Sequence, residues 1–127
     1  MAFQIKGIHH IELTVSDLQR SKQFYSRLPN FKIVAEYPHF VMFDTGHFRF
    51  GLTDHKHGIK INIFDEMNVG LDHVAFEVSS KADLDEALHF FDDESIPHGK
   101  IEHLSNGTLT VVFRDPDNIQ LELAYKD

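Results

Sequence analysis

The sequence predicts an α+β fold made of two repeated β-α-β-β-β modules, and three observations carry that expectation. First, GIHHIELTVS at residues 7–16 returns as GLDHVAFEVS at 70–79, matched in type at Gly7/Gly70, Ile8/Leu71, His10/His73, Ile11/Val74, Leu13/Phe76, Val15/Val78 and Ser16/Ser79. Second, each copy is followed by one segment of helical apolar spacing and then three strand-like runs. Third, 127 residues without a low-complexity stretch or linker suit one compact domain. The expected organisation is a single domain over 1–127, with module one at about 1–64 and module two at about 69–127.

The elements follow in order. After the first strand, SDLQRSKQFYSRL reads as a helix, with Ser16 or Asp17 to cap it and Leu18, Phe24, Tyr25 and Leu28 as its apolar stripe. Pro29 ends it. FKIVAEY, HFVMFDTG and HFRFGLTD read as three strands, and TDHKHGIKINIFDEMNV connects the modules, with IKINIF a candidate short extra strand. In module two, Ser80 and Asp83 resemble a capping box ahead of Leu84, Ala87, Leu88 and Phe91 at i, i+3, i+4, i+7. Pro97 closes that helix, and GKIEHL, TLTVVFRD and NIQLELAY supply the strands. Asn106-Gly107 marks a hairpin, and Asp115-Pro116-Asp117-Asn118 a tight turn.

Composition excludes several function classes. A net charge of −8 argues against a nucleic-acid partner, which needs clustered Lys and Arg. No apolar run approaches the roughly 18 residues of a membrane span. MAFQIKGIHH lacks a basic segment followed by an apolar stretch, so no secretory signal is expected. The absence of cysteine removes thiol chemistry and points to a cytoplasmic location. Ten histidines are the unusual feature, because imidazole is the commonest metal ligand.

Strand alternation selects among them. Ile11, Leu13 and Val15 share one face, and His10, Glu12 and Thr14 share the other. Val74, Phe76 and Val78 oppose His73, Ala75 and Glu77, and Leu121 and Leu123 oppose Glu122. The helices need the apolar faces, which leaves His10, His73 and Glu122 on the opposite side. Two readings stand at this point: a metal-ligand set, or two core histidines bonded to backbone beside an exposed edge glutamate. Glu12, two residues beyond His10 on the same face, is either a general base or a polar wall residue. His9 points away from His10 and reads as structural. His55 and His57 in DHKH could bind metal by composition but read first as a solvated loop, and His39, His47, His89 and His98 receive no role.

HIELTVSDLQRSKQFYSRL at 10–28, GLDHVAFEV at 70–78 and VVFRDPDNIQLELAY at 111–125 together resemble the vicinal oxygen chelate superfamily, the glyoxalase, bleomycin-resistance and extradiol-dioxygenase group. The resemblance spans essentially the whole chain. It implies paired modules forming an open, curved mixed sheet or barrel around a divalent metal, with ligands on the first and last strand of each module. Those positions fall on His10, His73 and Glu122. Gly51 stands where glyoxalase I enzymes carry a further glutamate. The three remaining ligands resemble those of ferrous extradiol dioxygenases and of manganese-dependent fosfomycin-resistance transferases. His103 falls on the dioxygenases' acid–base histidine and Asp115-Pro116 on their turn, with Val112 in place of their tyrosine. The fosfomycin pattern departs at Glu12, Glu102 and Val112, and the added negative charge excludes an anionic phosphonate.

The expectation is therefore a metal-dependent small-molecule enzyme. His10, His73 and Glu122 are its metal ligands, and Glu12 and His103 are its catalytic residues. The cofactor is a divalent metal, Fe2+ first and then Mn2+, Ni2+ or Zn2+. The substrate presents two neighbouring oxygens, and the reaction is dioxygenase-like. The alternatives are a glyoxalase-like isomerase or lyase, and a non-catalytic protein that sequesters a drug. The resemblance also implies a homodimer, in which a site is either within one chain or shared between two.

Overall fold

The computed structural model describes residues 2–60 and 63–127, and the chain divides into two compact units, Met1–Asn62 and Ile63–Asp127. In the first unit, β1 (His10–Thr14), α1 (Leu18–Ser26), β2 (Lys32–Tyr37), β3 (Phe40–Asp44) and β4 (Arg49–Thr53) follow in turn. The second unit repeats the order with β5 (Val74–Glu77), α2 (Lys81–Asp93), β6 (Glu102–His103), β7 (Leu109–Arg114) and β8 (Gln120–Tyr125). Both four-stranded sheets are open and mixed, ordered β1-β4-β3-β2 and β5-β8-β7-β6. In each, the first and last strands of the module pair in parallel and the rest run antiparallel. This is the α+β, two-module architecture that the repeat predicts.

Local chemistry explains the helix ends. Asp17 caps α1 by accepting the N–H of Arg20 at 3.0 Å. Ser80 caps α2 by accepting the N–H of Asp83 at 3.2 Å, while the Asp83 carboxylate reaches back to the N–H of Ser79 at 3.1 Å. The two side chains thus satisfy two orphan donors reciprocally, one residue earlier than in the usual capping box.

The helix-facing side of each sheet forms the core. Leu13, Val15, Val41, Phe43, Phe50 and Leu52 are buried beneath α1, where the Tyr25 and Phe50 rings lie 5.0 Å apart. In the second unit Phe91 of α2 stacks on Phe113 of β7 at 4.5 Å. Each such fully buried ring contributes about 1.5–3 kcal/mol. Strand alternation therefore holds: Ile11, Leu13 and Val15 turn inward, while His10, Glu12 and Thr14 are exposed.

Several elements differ from the sequence expectation. GKIEHL yields only a two-residue strand, because its start is held by single contacts instead: the N–H of Gly99 on the Val112 carbonyl at 2.8 Å and an isolated bridge from His98 to Phe113. The strand expected over IKINIF has its centre, residues 61 and 62, outside the described residues. β2 is an edge strand with a bulge between Ile33 and Ala35. Among the described residues, no helix is long and apolar enough to cross a membrane.

His98, assigned no role from sequence, ties α2 to the sheet. Its Nε2 lies 2.6 Å from Asp92 Oδ1 and its Nδ1 2.5 Å from the Gly99 carbonyl. The Asp92 bond, then the carbonyl, raise its pKa against the opposing effect of burial. Stability from this contact is fully present below the ordinary imidazole value of about 6.5 and fades as pH rises through the raised folded value. Thermal unfolding from pH 5 to 9 should show that loss in the parent chain, and His98→Asn should flatten it; equal slopes in both would remove His98 from the account.

Candidate functional site

β8 is launched by the Asp115-Pro116-Asp117-Asn118 turn. The buried Asp115 carboxylate accepts, through Oδ1, the N–H groups of Asp117 at 2.8 Å and Ile119 at 2.9 Å, and so holds the turn. From there alternation sends Leu121 into the core and Glu122 to the opposite face. Glu122 Oε2 lies 3.3 Å from His73 Nε2, just before β5. The other ring nitrogen of His73 is 2.7 Å from Asp72 Oδ1.

That carboxylate is itself held. Gln120 Nε2 donates to Asp72 Oδ1 at 3.0 Å and to the Asp72 carbonyl at 3.1 Å, while Arg114 donates to Gln120 Oε1 at 3.3 Å. Arg114 also forks onto Glu66 with bonds of 2.8 and 2.7 Å. These Arg114 bonds, chiefly, hold the Glu66 carboxyl at about 2. A polar chain therefore runs Glu66–Arg114–Gln120–Asp72–His73–Glu122. Its effect is to fix the ring orientation of His73, as a carboxylate behind a metal-ligating imidazole does.

In the first unit, His10 and Glu12 share the exposed face of β1. His10 and His9 meet through their Nδ1 atoms at 2.9 Å, with rings edge to face. Glu12 pairs in register with Gly51 of β4, just as Ala75 pairs with Glu122 of β8. The two modules have exchanged partners at this level: carboxylate on the last strand in one, on the first strand in the other. The space confirms it, because a Cβ on Gly51 would lie 3.3 Å from Glu12 Cγ, 3.4 Å from its Oε1 and 3.2 Å from Phe40 Cε1. The Glu12 side chain lies over the bare backbone of Gly51.

His103 lies elsewhere. It pairs with Leu109, which pairs with Tyr125, so by alternation it shares their face and not that of Glu122. Val112 pairs directly with Glu122 and sits on its face.

One further cluster is only half visible in the sequence, where DHKH offers metal-binding histidines by composition but reads first as a solvated loop, and His39 receives no role. Phe40 pairs with Thr53, which sets His39 beside Asp54 at the end of the first sheet. His39 Nδ1 is 2.9 Å from Asp54 Oδ1, and His57 Nδ1 is 3.4 Å from Asp54 Oδ2. Burial acts to raise the Asp54 pKa, but the His39 bond, the Lys56 N–H and the two imidazole charges outweigh it and hold it low. His57 is brought there by a left-handed turn in which His55, Lys56 and His57 all have φ between 52° and 66°. Such conformations cost about 1–3 kcal/mol each outside glycine. His55 turns the other way, its Nε2 2.8 Å from Thr14 Oγ1. DHKH was the sequence signal, but His39 could be added only through the strand register.

A sequence profile of the Glyoxalase/Bleomycin resistance protein/Dioxygenase superfamily matches residues 7–123. The chain belongs to this superfamily. Among solved structures, it is similar to a glyoxylase/bleomycin resistance protein/dioxygenase domain from Frankia sp. EAN1pec, at 28% identity and a TM-score of 0.84, over 98% of this chain and 94% of that one. A lactoylglutathione lyase from Agrobacterium tumefaciens matches at 25% identity and a TM-score of 0.77, over 95% and 94%. A fosfomycin resistance protein from Mesorhizobium loti, at 19% identity and a TM-score of 0.74 over 98% and 95%, shares the fold.

Within this glyoxalase/dioxygenase superfamily chain, the Glu12–Gly51 packing makes a direct prediction. Gly51→Ala should destabilise the parent chain by about 1 kcal/mol, because the new methyl presses on Phe40 and Glu12. In a Glu12→Ala background the cost should fall by about 0.5 kcal/mol or more in urea unfolding, whereas strict additivity would rule the contact out.

Proposed function

We propose that this superfamily member is a divalent-metal-dependent enzyme acting on a small molecule with two neighbouring oxygens. His10, His73 and Glu122 are its metal ligands and Glu12 its base. The observation that carries the reading is the His73–Glu122 contact with Asp72 behind the ring. The 3.3 Å between Nε2 and Oε2 suits two ligands of one ion, whose bonds of about 2.0–2.2 Å set such spacings. The side chains present therefore fit a metal. His10 joins them on donor chemistry and on its matching place in the repeat.

A bound divalent ion would supply Lewis acidity, polarising a substrate oxygen and leaving positions open for its neighbour. The chain's own groups do the rest. Asp72 holds the His73 tautomer, and Glu12 accepts a proton from the hydroxyl-bearing carbon and returns it to the neighbouring carbonyl carbon, while the hydroxyl proton passes to the former carbonyl oxygen. Such a shift conserves atoms and charge, so the reaction class is an isomerisation, or an elimination if a leaving group departs. The Glu12 carboxylate over Gly51 and the apolar Val112 beside Glu122 both favour this proton chemistry. Two histidines with one carboxylate also suit ferrous iron and oxygen, which is the second reading. His103, on the other sheet face, has no part in either.

Metal-stripped protein reconstituted separately with Fe2+, Mn2+, Ni2+ and Zn2+ should lose about tenfold or more in affinity for the activating ion in His73→Ala. Glu12→Gln should keep that ion but slow deuterium exchange into α-hydroxycarbonyl probes by about a hundredfold or more. Oxygen uptake with catechol probes would select the second reading. A His73→Ala chain with unchanged metal affinity would refute both and leave a sequestering protein.

A further inference from the structure

We propose that His39, Asp54 and His57 form a second divalent-metal site, of the kind that takes zinc, separate from the one assigned to His10, His73 and Glu122. The separation is built into the first sheet. His10 pairs with Arg49 at one end of β4, and Asp54 follows Thr53 at the other, roughly 16 Å further along the strand.

The donor set is chemically apt. Two imidazole nitrogens and a carboxylate oxygen are borderline to hard ligands, which suit zinc and its late first-row neighbours. One ligand atom from each residue lies within 4.8 Å of the other two. His39 Nδ1 lies 2.9 Å from Asp54 Oδ1 and His57 Nδ1 lies 3.4 Å from Oδ2 of the same carboxylate, separations close to the roughly 3.3 Å between ligand atoms around a tetrahedral ion with bonds near 2.0–2.1 Å. The His39 and His57 rings stand nearly perpendicular, at 87°, so both can aim nitrogens at the Asp54 carboxylate without overlapping.

The surroundings support the set. Asp54 is only 3% exposed, and its Oδ1 also accepts the Lys56 N–H at 3.0 Å, which fixes the carboxylate from behind. The run of three left-handed, non-glycine residues returns the His57 ring to Asp54 and turns the His55 ring to Thr14. His57 is open to solvent, with 78% of its side chain exposed, so water can complete the shell. The three ligands come from the β2–β3 turn, the end of β4 and the loop beyond it, so a bound ion would clip these segments together. Its function is structural, and the open position leaves it able to hold a small anionic or hydroxylic ligand.

The test is a zinc and cobalt titration of the metal-stripped full chain carrying His73→Ala, which weakens the other site by about tenfold or more. That chain should bind about one equivalent, gain thermal stability with zinc, and show the visible absorption of four-coordinate cobalt. Adding His57→Ala, a substitution at an exposed side chain that leaves the core intact, should weaken zinc about tenfold or more and abolish the stability gain. His39→Gln should do the same. Absence of zinc binding in the His73→Ala chain, or binding unchanged by His57→Ala and His39→Gln, would overturn the proposal while leaving the reading of His73 and Glu122 untouched.

Discussion

The parallel pairing of the first and last strand in each module is the constraint on which the rest depends. It sets Glu12 opposite Gly51 and Ala75 opposite Glu122, and so determines where each carboxylate stands. The pairing is held in place from behind. A slip of one residue would carry Leu13 and Val15, or Val74, from the helix side to water, and the core would lose its packing. The chemistry of the exposed face is thus kept in register by hydrophobic contacts that it never touches.

On that frame the two modules have diverged in opposite senses. The second concentrates polar groups: an arginine fork and a glutamine–aspartate relay end on one histidine, beside a buried aspartate turn. The first spreads its polar groups over the same face, with Arg49 3.6 Å from Asp44 and Thr14 bonded to His55, and its glycine leaves room for a carboxylate from the neighbouring strand. Duplication supplied two equal scaffolds, and the side chains on them need not be equal.

Much of this was legible in the sequence. The repeated strand, the helical stripes, both caps and the parity of His10, Glu12, His73 and Glu122 follow from local periodicity, which tertiary context did not override. What escaped depends on long-range register. The Glu12–Gly51 exchange needs β1 aligned on β4, the face of His103 needs two successive strand pairings, and His39 meets Asp54 only because β3 folds back on β4. The left-handed turn at His55–His57 is opaque for another reason. None of its residues is a glycine, so composition gives no hint of the backbone it adopts.

The bulge between Ile33 and Ala35 has a consequence of its own. β2 borders the first sheet and exposes Ile33, Val34 and Tyr37, the type of apolar edge along which chains polymerise. By breaking the even rhythm of donors and acceptors, the extra residue denies an incoming strand a continuous template. The irregularity thus lets a sticky border remain a border.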